Sequence, residues 1–200
     1  MKVDVIVIDS GCNNTQHENN SISGINLSGN GDDLSDIHDN IGHGSAVVDI
    51  ILEQNSCTFI YIIKICDDYN KFSFDKLCKS LEFILNSDIE CKLINISMGI
   101  TLVDDYNRLH GLIKSLYEKG IIIISAYANS GSISYPAAFG EVIGVDISEN
   151  CFNKSEYESI ENSVINIRGA NVYFRTVDHN NKKTLQKGTS FNAGYISGII

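Results

Sequence analysis

The sequence predicts an α/β domain with three layers: a mostly parallel, doubly wound sheet with helices on both faces. Short runs of branched apolar residues, typical of strands buried on both faces, alternate along the chain with segments of helical periodicity. This alternation favours parallel pairing, with right-handed crossovers that place helices on the two faces. The length of 200 residues is that of one domain, so we expect residues 1–200 to form a single domain.

Composition and charge narrow the classes of function and partner. The formal net charge of -10 argues against a nucleic-acid partner, which would need a basic surface. No apolar run approaches the ~20 residues of a membrane span, and the first strand is too short for the core of an export signal. The six cysteines form no C-x-x-C pair, so neither a zinc site nor a disulfide framework is predicted. We therefore expect a cytoplasmic protein without membrane contact.

Four elements are predicted in the first half of the chain. They are a strand over residues 3–8, a helix opened by Gly42-His43-Gly44 and continuing to residue 52, a strand over 58–65, and an amphipathic helix over 73–87. Asp9 directly follows the first strand, at the edge of the sheet where open α/β folds place their sites. An Asx-turn is the structural alternative for this residue.

Residues 12–41 are polar, show no periodicity and contain a series of aspartates. These are Asp32, Asp33, Asp36 and Asp39. Their spacing matches no calcium-binding loop motif, so the favoured interpretation is an acidic loop exposed to solvent, with a calcium site as the alternative. No other cofactor is predicted.

The second half of the chain continues the alternation. Thr101 with Asp104 resembles a capping box for a helix that Gly120 ends. The other elements predicted there are strands over residues 93–97, 121–124 and 142–147, a polar irregular segment over 149–162, a pair of strands near the rim over 164–167 and 172–176, and a polar turn over 179–183.

Ser190 lies at the start of the last predicted helix, where a hydroxyl is most often an N-cap. The same position suits a nucleophile, because unpaired backbone N–H groups and the helix dipole stabilise an oxyanion. A serine nucleophile also needs a base and a carboxylate that orients the base. His43, at a helix start, and Asp9 supply these groups and can meet Ser190 at one sheet edge. Asn129, after the fourth strand, offers an amide donor for the oxyanion.

Six short motifs, in the right order, resemble those of the subtilase family of serine endopeptidases. The likeness extends from residue 3 to residue 200. The aspartate motif is Val7-Ile8-Asp9-Ser10-Gly11, the histidine motif is Gly42-His43-Gly44-Ser45-Ala46-Val47, and the serine motif is Gly188-Thr189-Ser190 with Gly198. The substrate strand is Asn95-Ile96-Ser97-Met98-Gly99. The oxyanion loop is Ala128-Asn129-Ser130-Gly131, and the segment after that loop is Tyr135-Pro136-Ala137.

The resemblance implies a serine endopeptidase that hydrolyses a peptide or protein substrate through an acyl-enzyme. It implies Asp9 as the orienting acid, His43 as the general acid and base, and Ser190 as the nucleophile. Asn129 is implied as the oxyanion donor, and Ser97-Met98-Gly99 as the backbone that pairs with the substrate as an added strand. The other histidines lack a helix start or a partner motif: His17, His38, His110 and His179.

Several positions depart from the family's pattern. Asn192 and Gly194 replace an alanine and a proline after the nucleophile, which is expected to loosen the helix start, and Ala128 replaces a glycine before the oxyanion asparagine. Ile100 replaces a glycine of the substrate strand, so we expect it to narrow the approach of peptide side chains and to restrict the range of substrates. No inhibitory segment precedes the aspartate motif, and the sequence ends at Ile200. Part of the core covering at this short C-terminal edge is therefore expected to be absent or to come from a partner chain or oligomer.

Two other functions stay open. A pseudoprotease would keep the groove, bind peptides and have lost turnover. A nucleotide-binding domain is disfavoured, because the turn after the first strand lacks the G-x-G-x-x-G sequence that cradles a pyrophosphate.

Overall fold

The computed structural model describes residues 1–13, 22–29, 33–56, 58–67, 69–180 and 182–200. The elements in chain order are β1 (Val5–Asp9), β2 (Ile22–Asn26), α1 (His43–Gln54), β3 (Ile60–Lys64), α2 (Phe74–Asn86), β4 (Leu93–Ile96), α3 (Tyr106–Glu118), β5 (Ile122–Ala126), β6 (Ile143–Ile147), β7 (Glu158–Ser159), β8 (Ile167–Gly169), β9 (Phe174–Val177), β10 (Lys183–Gln186) and α4 (Thr189–Ile199).

The main sheet has the strand order β2-β3-β1-β4-β5-β6-β8-β7, and β9 and β10 form a separate hairpin. Its pairings are parallel except that between β7 and β8. The central strand β1 has β3 on one side and β4 on the other. The direction of winding changes between β1 and β4, and open α/β sheets bind their ligands beside such a change.

Two hydrophobic cores lie on opposite faces of this sheet. Successive residues of a strand point to opposite faces, so Ile6 and Ile8 pack into the core that α2 and α3 cover. Val5 and Val7 pack into the core that α1 and α4 cover. The structure confirms the prediction of a three-layer, mostly parallel α/β fold. Among the described residues, none of the helices combines the length and apolar character needed to cross a bilayer.

The strand β2 lies in the polar segment where the sequence predicts no element. It is an edge strand whose residues are mostly only half buried. Its glycine, Gly24, lies so close to β3 that a Cβ there would be 2.3 Å from the carbonyl oxygen of Ile62. A half-exposed strand with a glycine at its centre lacks the apolar run by which buried strands are recognised.

The predicted capping box of α3 is wrong. The helix begins at Tyr106, and the side chain of Asp105 caps it by accepting a hydrogen bond from the backbone N–H of Arg108 at 2.9 Å. Two backbone hydrogen bonds of 2.9 Å tie Ile100 to Tyr135. Residues 101–105 connect this bonded segment to the helix and are not part of it.

The predicted strands near the rim do not pair with each other. The first of them corresponds to β8, which joins the main sheet between β6 and β7, and the second to β9, which pairs with β10. The turn predicted over 179–183 ends one residue early, because Lys183 already pairs with Val177. The polar segment over 149–162 also contributes the two-residue strand β7.

The helix α4, which carries Ser190, packs closely against α1. A Cβ at Gly194 would be 3.3 Å from Val47 Cγ1, and one at Gly198 would be 2.8 Å from the carbonyl oxygen of Ile51. The helix is continuous from Thr189 through Gly194. Both glycines serve close helix packing, and the loosened helix start expected from the missing proline stays a prediction.

Candidate active site

Asp9 and His43 form a hydrogen-bonded pair at the carboxyl edge of the sheet. Asp9 ends β1 and is fully buried, and His43 is the first residue of α1. The distance from His43 Nδ1 to Asp9 Oδ1 is 2.7 Å, and the same oxygen accepts the backbone N–H of Ser10 at 2.7 Å. A bond from Nδ1 to a carboxylate leaves Nε2 as the basic nitrogen, which is the tautomer that a general base requires.

The environment of His43 favours its protonated form. Burial by itself lowers the pKa of an imidazole, but the adjacent carboxylate of Asp9 and the more distant one of Asp39 act in the opposite direction. Their combined effect raises the pKa of His43 above its usual value of 6.5. The His43 side chain keeps 22% of its surface exposed, so it is accessible from the cleft.

Ser190 lies in the first turn of α4 but does not cap it. Gly188 occupies the N-cap position and makes no side-chain capping bond. The hydroxyl of Ser190 donates instead to the carbonyl oxygen of Ser97 at 2.7 Å. Its neighbour Phe191 packs on His43, with the two ring centroids 5.5 Å apart. The residue after the predicted nucleophile therefore contacts the predicted base, and the proton of Ser190 is directed at the end of β4.

Asn129 meets the start of α4 from the loop after β5. Its Oδ1 accepts the backbone N–H of Thr189 at 3.0 Å and the Thr189 hydroxyl at 3.1 Å. Because this oxygen is occupied, the amide nitrogen is the part of the exposed side chain that can donate to a ligand. The backbone N–H of Ser190 is one of the first four of the helix, which have no partner within it. These two donors can serve one oxyanion.

Ser97-Met98-Gly99, the segment predicted to pair with substrate, continues the chain from the end of β4. Ser97 is buried, whereas Met98 and Gly99 are partly exposed. A Cβ at Gly99 would be 2.6 Å from Ser134 Oγ, and that hydroxyl accepts the backbone N–H of Ala128 at 2.9 Å. The segment is thus walled on one side by Ser134.

The acidic segment before α1 is not uniformly exposed to solvent, which corrects one prediction. Asp33 and Asp36 are exposed, but Asp39 is fully buried and accepts hydrogen bonds around the start of α1. Asp32 lies outside the described residues. Within the described ranges, no group of three or more His, Cys, Asp or Glu side chains is arranged to hold a metal ion.

The other described histidines lie apart from the Asp9–His43 pair. His38 is exposed, His110 bonds to Glu141 at 3.1 Å, and His179 contacts the amide of its neighbour Asn180. His17 lies outside the described residues. The sequence missed the participation of Ser10 and Asp39, because a short polar loop gives no periodic signal that separates a buried carboxylate from exposed ones.

Comparison with known sequences yields one family and several distant relatives. A model described as the subtilase family matches residues 2–200. The minor extracellular protease Epr of Bacillus subtilis (strain 168) is 26% identical over 159 residues, which are 72% of this chain and 23% of Epr. The major intracellular serine protease of the same organism is 26% identical over 99% of this chain and 67% of its own length. Subtilisin DY of Bacillus licheniformis is 22% identical over 80% of this chain and 62% of its own.

Among solved structures, the crystal structure of a cold adapted subtilisin-like serine proteinase is similar in fold. Its TM-score is 0.79 at 17% sequence identity, and the match covers 98% of this chain and 72% of that one. Against the curated relatives, the chain spans between about a quarter and two thirds of their length.

Proposed function

We propose, on the premise that the chain belongs to the subtilase family, that it is a serine endopeptidase that hydrolyses peptide bonds through an acyl-enzyme. The observation that carries the proposal is the 2.7 Å bond between His43 Nδ1 and Asp9 Oδ1, beside the helix start that holds Ser190. A base oriented by a buried carboxylate next to a serine hydroxyl is the arrangement that nucleophilic catalysis requires.

In the proposed reaction, Ser190 Oγ attacks the scissile carbonyl carbon while His43 Nε2 takes its proton. The negative charge that develops on the carbonyl oxygen is stabilised by the amide of Asn129 and the backbone N–H of Ser190. The C–N bond then breaks as His43 returns the proton to the leaving amine. Water, deprotonated by the same nitrogen, then attacks the acyl carbon, the ester bond to Ser190 Oγ breaks, and His43 returns the proton to that oxygen. Groups of the protein handle every proton and charge, so the proposed reaction needs no cofactor.

The hydroxyl of Ser190 must turn before it can react, because its proton is donated to the carbonyl of Ser97 at 2.7 Å. A substrate that adds to Ser97-Met98-Gly99 as a strand would use the same carbonyl as its hydrogen-bond acceptor. We therefore infer that substrate binding releases the hydroxyl toward His43. The same contact favours the alternative function, a peptide-binding pseudoprotease in which Ser190 stays bonded to Ser97.

A fluorophosphonate probe, which modifies only activated serines, separates these two functions. We expect the folded wild type to be labelled, Ser190→Ala not to be labelled, and the control Ser130→Ala, which changes an exposed serine near the site, to be labelled like wild type. A folded wild-type protein that resists labelling but binds peptides would contradict the enzyme and support the pseudoprotease.

A restricted peptide or protein substrate is also proposed. It is supported by the wall that Ser134 forms beside Gly99 and by the backbone bonds that fix Ile100 to Tyr135. We expect cleavage of few members of a mixed peptide library, measured by mass spectrometry, and of more members by Ile100→Gly. An unchanged cleavage pattern in that variant would remove Ile100 from the specificity assignment.

Cytoplasmic location and a partner at the C-terminal edge stay predictions. One relative is named intracellular and another extracellular, so the relatives' names do not decide between the two locations. Cell fractionation tests the first prediction. Sedimentation analysis tests the second, and a monomer at micromolar concentration would contradict an oligomer.

A further inference from the structure

Asp39 is a fully buried carboxylate outside the four residues assigned to the proposed reaction. Its Oδ1 accepts the hydroxyl of Ser10 at 2.9 Å and the backbone N–H groups of Ile41 and Gly42 at 3.0 and 2.8 Å. Its Oδ2 accepts the backbone N–H and the hydroxyl of Ser45 at 2.8 and 2.7 Å. A carboxylate with five donors is ionised and held in one orientation.

The donors to Asp39 come from both sides of the acid–base pair. Ser10 directly follows Asp9, Gly42 directly precedes His43, and Ser45 lies in the first turn of α1. Ser10 Oγ also accepts the backbone N–H of Gly44 at 2.9 Å, so the two segments are joined a second time. One buried carboxylate therefore connects the end of β1 to the start of the helix that presents the base.

Glycines allow these segments to approach as closely as the bonds require. A Cβ at Gly44 would be 2.2 Å from the carbonyl oxygen of Gly11, and one at Gly11 would be 3.1 Å from the Cα of Asp39. The backbones on either side of the Asp9–His43 bond are thus in direct contact. A displacement of Asp39 would therefore displace both Asp9 and His43.

We propose that Asp39 is a positioning residue for the reaction: it fixes the geometry of the Asp9–His43 pair and supplies a second negative charge that supports the protonated imidazole. The inference rests on the proposed function. Displacements of about 1 Å at catalytic groups cost on the order of 100-fold in rate, so a residue that holds both members of the pair has a large effect without touching substrate.

Asp39 is one of several charged or titratable groups around His43. Asp9 contacts the imidazole directly, and the carboxylates of both Asp9 and Asp39 raise its pKa. The thiol of Cys66, after β3, lies in the field of the same two carboxylates, which together with burial raise its pKa. The buried ammonium of Lys64 donates to the carbonyl of His38 at 2.6 Å. Asp178 and His179 lie against Gly42 from the β9–β10 turn.

Asp39→Asn removes the charge while keeping a side chain of the same size. We expect kcat/KM to fall about 10- to 100-fold with KM unchanged, and the acid limb of the pH profile to move to lower pH. The matched control is Asp36→Asn, an exposed aspartate of the same segment that should leave both quantities as in wild type. A folded Asp39→Asn protein with wild-type kcat and an unmoved acid limb would overturn the proposal.

The titration of His43 by NMR provides a readout that does not depend on activity. Measured in full-length Ser190→Ala protein, the pKa of His43 should fall when Asp39→Asn is added and stay unchanged with Asp36→Asn. If the pKa of His43 is the same with Asp39→Asn as with Asp36→Asn, the electrostatic role of Asp39 is rejected. If the pKa is lowered but the folded protein with Ser190 intact is not labelled by a fluorophosphonate, the protease function is rejected while the coupling between Asp39 and His43 stays in place.

If Asp39→Asn does not fold, Ser45→Ala carries the test, because it removes one bond to the carboxylate and no charge. Its kcat should fall with KM unchanged, and Ser45→Thr, which retains a hydroxyl, should restore kcat. A folded Ser45→Ala protein with wild-type kcat would count against the positioning role.

Discussion

The two halves of the candidate site are built differently. On the acid–base side, Asp9, Ser10, Asp39 and Ser45 are each at most 1% exposed and are linked by hydrogen bonds that converge on His43. On the nucleophile side, Asn129 is exposed and Ser190 bonds to the strand where substrate would add. The first half is joined by hydrogen bonds within the chain, whereas we infer that the second reaches its reactive arrangement when a ligand takes the carbonyl of Ser97.

This contrast has a physical basis. A buried carboxylate is stabilised by the hydrogen bonds that it accepts, so the acid–base half is held together within the chain, where Asp9 Oδ1 accepts two such bonds and Asp39 accepts five. A serine hydroxyl is neutral and has a single proton to donate. It can exchange one acceptor for another at little cost in free energy, so the nucleophile half can be stable in a different hydrogen-bonded arrangement before substrate binds.

The largest expected effect comes from breaking either half. His43→Ala and Ser190→Ala should each lower kcat by about 10⁴-fold or more, and the double variant should lose no more than either alone, because the base and the nucleophile act as one unit. Steady-state and single-turnover kinetics measure these losses. Additive losses in the double variant would mean that the two side chains work independently.

Changes at Asn129 separate its two functions in the nucleophile half. Asn129→Ala should lower kcat about 10²- to 10³-fold with little change in KM, the size known for an oxyanion donor of subtilisin. Asn129→Asp keeps the oxygen that holds Thr189 but loses the amide donor, so it should lose at least as much activity while keeping the thermal stability of wild type. Equal losses in kcat and in substrate affinity would contradict the oxyanion assignment.

The pH dependence reports the acid–base half. The carboxylates raise the pKa of His43 above 6.5, and only the neutral imidazole can accept the proton of Ser190. Activity should therefore be low at acid pH and rise through a midpoint above pH 6.5, falling about tenfold per pH unit below that midpoint. Measurements of kcat/KM from pH 5 to 10 test this, and a midpoint below 6.5 would conflict with the charges around the imidazole.

The smallest effects come from the packing that joins the two halves. Gly198→Ala places a Cβ 2.8 Å from the carbonyl of Ile51 and should lower the free energy of unfolding by about 1–3 kcal/mol as α4 moves from α1. The control Gly111→Ala lies on α3 with no atom within 4 Å of its Cβ and should add about 0.5–1 kcal/mol from helix propensity. Urea unfolding measures the free energy of unfolding of both variants. A stabilised Gly198→Ala protein would mean that a Cβ fits between α4 and α1 without displacing either helix.

Much of the fold followed from local patterns. The strands β1 and β3 are recognisable as continuous apolar runs that are buried on both faces, and α2 is recognisable because its apolar residues repeat at the helical period. The edge strands β2 and β7 were not predicted, because they bury too little surface to require a recognisable apolar pattern. The start of α3 was misplaced because Thr101 and Asp105 are both suitable N-cap residues in the sequence, and the structure uses Asp105.

The sequence by itself determined the class of fold and the residues proposed for catalysis, since Asp9, His43 and Ser190 each stand at the end of an element that local patterns reveal. Only the tertiary structure decided how these residues are held. The burial of Asp39, the bond from Ser190 to Ser97 and the contact between Asn129 and Thr189 all join segments far apart in the chain or distinguish one loop aspartate from its neighbours. Solvent exclusion and hydrogen-bond geometry set these contacts, and no short stretch of sequence encodes either.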